Sequence, residues 1–151
     1  MAEQTTALDA RHALVCVDAG DRLSAVTAAL TELGYTAQAP AGPEDAIDRM
    51  RKTAFEVVMV DETYDGASPL DNPVLTALGG MAMGLRRYMF VALIGTELKT
   101  LDNIAAFARS VNAVVSANDL GQLAPILRRA IADNDQFYRV FREVLQANGK
   151  R

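Results

Sequence analysis

At 151 residues the chain has the length of a single domain with one well-buried core. Half of it is apolar and its mean hydropathy lies near zero, which excludes a disordered chain, and no apolar run reaches the roughly 18 residues a membrane-spanning helix needs. The net charge of −4, with Arg86-Arg87 and Arg128-Arg129 as the only arginine doublets, argues against nucleic acid as a partner.

Residues 1–11 are polar, lack a hydrophobic signal core and read as a disordered lead-in. His12 is the only histidine and is expected at the surface, so neither a histidine metal cluster nor a Ser-His-Asp arrangement can be built. The run Ala13–Val17, ended by Asp18, reads as a strand buried on both faces. Its Cys16, the one cysteine, is expected as a buried thiol, which excludes a disulfide within the chain and suits a cytoplasmic location. Leu23, Val26, Leu30 and Leu33 then form one helical stripe, stopped by Gly34.

A weaker strand, Tyr35–Ala39, leads to a helix opened by Pro43, with Ala46, Ile47 and Met50 inward. Phe55–Val60, running into Asp61, is the strongest strand signal. After a polar loop, Asp71 or Asn72 caps a helix with Pro73 at its start, and Gly79-Gly80 ends it. Met81 and Met83 read as gap-filling core. Tyr88–Ile94 is a fourth strand, and Thr100 or Asp102 leads a fourth helix with Ile104 and Phe107 in its stripe. A short strand at Ala113–Val115 precedes a long last helix capped by Asp119. Five strands, each followed by a helix, predict an α/β domain: a flavodoxin-like, doubly wound parallel sheet over residues 12–132, with residues 133–151 extending the last helix.

Ligands of such a sheet bind beyond the carboxyl ends of its strands, which directs attention to Asp18, Asp61, Gly95-Thr96 and Ser116. Two aspartates ending the first and third strands would make a carboxylate pair suited to Mg²⁺. On LVCVD (Leu14–Asp18) and VVMVD (Val57–Asp61), and on its order of elements, the chain resembles the receiver domains of bacterial response regulators. That resemblance implies strand order 2-1-3-4-5, Asp61 in the place of the phosphoacceptor, and Asp18, Asp61 and the Thr63 carbonyl around Mg²⁺.

The departures from that pattern decide the functional expectation. Val17 stands where receivers carry a second acid, and Asp21 could replace it only with a rebuilt loop. Gly95 stands in place of a hydroxyl residue, with Thr96 adjacent. No lysine lies near Ser116; the chain has only Lys52, Lys99 and Lys150. A fixed cation there would neutralise phosphoryl charge, so its loss is hard to repair. The expectation is a non-enzymatic pseudo-receiver without a cofactor, acting through protein contact by its last helix or the face around the fourth and fifth strands. The alternative is a true receiver that accepts phosphate on Asp61 with Mg²⁺, and a distant third is a small-ligand binder using the same crevice.

Leu120, Leu123, Leu127, Ala130, Asn134, Phe137, Phe141 and Val144 follow a three-four spacing, the a/d pattern of a heptad seam. Either the second half of this helix folds over its own domain, or Leu127, Asn134, Phe137, Phe141 and Val144 meet a protein partner or a second copy, a parallel dimer being the form the pattern suits. The tracts Asp102–Asn112 and Phe137–Arg142 are also similar to a receiver-like module that follows a zinc ribbon in some bacterial proteins, although no ribbon lies in this sequence.

Overall fold

The computed structural model describes residues 11–147 apart from Pro69. The expected lead-in up to residue 10 and the Phe141 side chain lie outside the described residues. Five parallel strands form one sheet in the order β2-β1-β3-β4-β5: β1 Arg11–Cys16, β2 Tyr35–Gln38, β3 Val57–Asp61, β4 Phe90–Gly95 and β5 Ala113–Ser116. This is the expected 2-1-3-4-5 order. Every residue of β3, β4 and β5 is buried, as continuous apolar runs in a covered parallel sheet should be.

Alternation of side chains along the strands divides the core in two. Val15, Met59, Ile94 and Val115 face α1 (Asp21–Glu32) and the last helix, meeting Val26, Leu30, Leu123 and Leu127. Cys16, Val58, Val60 and Leu93 face α2 (Pro43–Lys52) and α3 (Pro73–Gly79), meeting Ala46, Met50, Val74 and Leu78. Both helices on this second face start with proline, whose missing amide is harmless at the first turn. Asn72, not Asp71, caps α3: its Oδ1 accepts from the amides of Val74 and Leu75 at 3.0 and 3.2 Å. A single turn, α4 (Met83–Arg86), follows. Asp102, not Thr100, caps α5 (Asn103–Ala108).

The last helix begins later than its sequence suggests. Ser116 caps a 3₁₀ segment, Ala117–Gln122, and α6 spans Leu123–Ala147, about 37 Å at 1.5 Å per residue. Asp119 therefore caps nothing; its carboxylate accepts a short hydrogen bond from the Thr100 hydroxyl. Pro125 sits in the first turn of α6, where amides lack helical acceptors in any case.

Other side chains depart from expectation. His12 lies within β1, half-buried, with its ring edge-on to Phe55. Met83 is exposed rather than gap-filling. Ile104 and Phe107 are 82% and 87% exposed, because a six-residue helix has room to bury one small face, and α5 buries Ala106 there. Leu127 is fully buried within its own domain and is no partner contact. Asn134 is likewise occupied: its Oδ1 accepts from Asn112 Nδ2 at 3.3 Å. Among the described residues no helix is long and apolar enough to cross a membrane.

Two outcomes follow from the buried core. Leu127→Ala will destabilise the chain by about 2–5 kcal/mol through transfer and cavity costs, seen as a lower urea midpoint with the slope unchanged. Burial pushes the Cys16 thiol up to about 12, so it will react with a disulfide reagent only after denaturant is added.

Candidate functional site at the carboxyl ends of the central strands

β3 is the middle strand, and its register sets Asp61 beside Ile94 of β4. The polypeptide leaves the sheet there through Glu62 and Thr63, and Asn72 pins the exit by donating from Nδ2 to the carbonyls of Asp61 and Glu62 at 3.1 and 3.2 Å. Both carboxylates, Asp61 and Glu62, are buried.

Asp61 is fully engaged. Its Oδ1 accepts from the Thr63 amide and from Thr63 Oγ1, each at 3.0 Å. Its Oδ2 accepts from Arg22 Nη1 at 2.7 Å, an ion pair reaching from the first turn of α1. A guanidinium at that distance supplies the positive charge that a buried carboxylate requires.

Asp18 is exposed and accepts from the Asp65 amide at 2.9 Å, so it ties down the loop after β3. Asp65 itself has a left-handed backbone (φ 57°) ahead of Gly66 (φ 78°), a tight reversal that brings this amide to Asp18. Tyr64, directly before this reversal, is buried in the second core, which pushes its hydroxyl up to about 12. Asp21 is exposed at the start of α1, and Val17 is buried and apolar. The donor set therefore does not fit Mg²⁺: one carboxylate already holds an arginine, the other holds an amide, and the position of a second acid is filled by valine. Among the described residues no three His, Cys, Asp or Glu side chains converge as a metal cluster.

At the end of β4, Gly95 marks an occupied space. A Cβ on Gly95 would lie 1.9 Å from Glu62 Oε2, 2.6 Å from Glu62 Cδ and 2.9 Å from Leu98 Cδ1. The Glu62 carboxylate therefore stands where a side chain at position 95 would begin. Its Oε1 lies 3.5 Å from Arg109 Nη2. Thr96 is exposed and does not replace the missing hydroxyl. Ser116, buried at the end of β5, is spent locally: its amide donates to Thr100 Oγ1 at 2.9 Å and its hydroxyl accepts from the Asn118 amide at 3.2 Å.

Of the residues expected at this site, Asp61 and Thr63 are in direct contact, Asp18 is linked to them through the loop, and Asp21 and Thr96 stand apart in solvent. Arg22, Glu62 and Arg109 were not foreseen. The one signal for Glu62 was a second acid directly after a buried strand. A groove of about 870 Å³ opens at the opposite end of the sheet, by the amino ends of the strands, between Met83, Tyr88 and Phe90 on one side and Ile131, Asn134 and Phe137 of α6 on the other, with Arg11, Glu56 and Arg87 also lining it.

No family model matches the chain, and no curated protein sequence does. Solved structures do. A CheY-like response regulator receiver domain from Methanospirillum hungatei is 14% identical, with a TM-score of 0.58 over 84% of this chain and 98% of that one. A putative pilus assembly-related protein from Burkholderia pseudomallei is 22% identical, with a TM-score of 0.58 over 81% and 90%. A fusion carrying the trimeric coiled coil of yeast Spc42 is 14% identical, with a TM-score of 0.60 over 93% and 95%. At these identities the likeness shows the fold: the chain has the receiver fold.

The Arg22–Asp61 pair is testable by a double-mutant cycle. Arg22→Ala leaves a buried carboxylate without its cation and will cost about 1–3 kcal/mol, moderated because Arg22 is partly exposed. Asp61→Asn in that background will cost less than Asp61→Asn alone, and denaturant titrations of the four proteins measure the coupling.

Proposed function

We propose that this chain is a non-enzymatic signalling domain of the receiver type that works through protein contact without accepting phosphate. One observation carries this reading: Asp61, in the acceptor's place, has both carboxylate oxygens engaged, Oδ2 by Arg22 and Oδ1 by Thr63. A phosphodonor would have to displace a buried ion pair to reach it. Neither Mg²⁺ nor any other cofactor enters the proposal, and the domain acts in the cytoplasm.

The second half of α6 is the proposed contact element. Asn134, bonded to Asn112, marks where the helix leaves the sheet's edge, and past it Phe137 and Val144 are 65% and 51% exposed. An apolar stripe on a projecting helix suits pairing with another helix, including that of a second copy. The 93% coverage reached with a coiled-coil fusion agrees with that reading.

Incubation with a small phosphodonor and Mg²⁺ will leave the intact mass unchanged. A stoichiometric gain of one phosphoryl group, absent in Asp61→Asn, would instead make the chain a true receiver. For α6, light scattering on the full chain will show a molar mass above the monomer that falls to the monomer value in Phe137→Asp. A monomer at every concentration removes self-association and leaves a different protein as the partner.

A further inference from the structure

We propose that Glu62 is a positioning residue: its buried carboxylate holds Arg109 and thereby latches the short helix α5, so that the exposed pair Ile104 and Phe107 is presented in one fixed state without covalent modification. The inference rests on the contact reading above and names how one contact face is controlled.

The Glu62 backbone is anchored on both sides. Its amide donates to the Ile94 carbonyl at 2.9 Å, and its own carbonyl accepts from Asn72. With the backbone held from β4 and from Asn72, the side chain lies over Gly95, in the space that a Cβ there would take. There the carboxylate is out of water, and an unpaired charge in such a place is costly. Arg109, directly after α5, lies within ion-pair distance.

The helix it follows is short, with Ala105 and the nearby Val111 packed in part against the second core. Six residues do not sustain a helix by themselves. Of these, only Ala106 is buried, while Ile104 and Phe107 point outward. The flanking residues Leu101 (φ 62°) and Ser110 (φ 59°) both have left-handed backbones, a conformation that non-glycine residues hold only when their surroundings impose it. The local ties include the Asp102 cap, the Leu101 amide on the Val114 carbonyl, the Val111 amide on the Ala106 carbonyl, and Arg86 on the Ser110 carbonyl. The Glu62–Arg109 pair joins the end of this strained segment to the end of the central strand.

Amide hydrogen exchange of the full chain tests the latch. Glu62→Gln keeps the shape and removes the charge; it will speed exchange at the amides of residues 103–111 tenfold or more and leave those of α1 and of Leu123–Ile131 unchanged. Arg109→Gln, which removes the charge at the other end of the pair, will do the same. Gly95→Ser will evict the carboxylate and match them, yet will add nothing in a Glu62→Ala background, where the space is free. Unchanged exchange over 103–111, or an increase spread evenly over the chain as global stability falls, overturns the latch. The phosphodonor experiment fails or succeeds separately: a phosphoryl gain on Asp61 removes the contact reading's premise whatever α5 does.

Discussion

Burying two adjacent carboxylates at the end of one strand carries a large desolvation cost, and Asp61 and Glu62 offset it from different directions. Successive side chains leave a strand on opposite sides, so one acid meets α1 and the other meets the segment after α5. Arg22 comes from the first, Arg109 from the second. The central strand is thereby tied to α1 on one face and to the segment after α5 on the other. Asn72 completes the arrangement by holding the peptide between the two acids and capping α3 with its other side-chain atom.

The same sheet end explains why a receiver fold can persist without the usual pocket chemistry. In such a crevice, charge balance is a structural requirement before it is a functional one. Here it is met by arginines of the chain itself, with Asp18 reassigned to the loop turn at Asp65. The opposite end of the sheet is different in character: open, and bordered by the emerging second half of α6. Charge is balanced within the chain at one end of the domain, while exposed apolar side chains border the other.

Much of this architecture was readable from residues alone. LVCVD and VVMVD marked the two strands that carry the site, and their continuous apolar character reflected burial on both faces. The ion pairs were not readable, because Arg22 and Asp61 are separated by 39 positions and meet only once β1 and β3 are neighbours. Gly95 looked like a lost hydroxyl; only coordinates show that it is a space filled by Glu62. The three-four spacing of the last helix was real but ambiguous, since packing on one's own sheet and packing on a partner demand the same period. Leu127 and Asn134 took the first role, while Phe137 and Val144 stay 65% and 51% exposed. Ile104 and Phe107 misled for a simpler reason: a helix of two turns has too few positions for a stripe to be reliable.

The close approach of Glu62 to Gly95 also constrains the routes by which such a sequence can diverge. A side chain that enters at position 95 must displace the Glu62 carboxylate, and shortening Glu62 first removes the buried acid that faces Arg109. Either single step lowers fitness to fold, whereas the pair taken together is tolerable. Positions 62, 95 and 109 should therefore change as a set among relatives of this chain. A lineage that has once placed an acid after its strand-end aspartate and a glycine across from it is held there by its own packing.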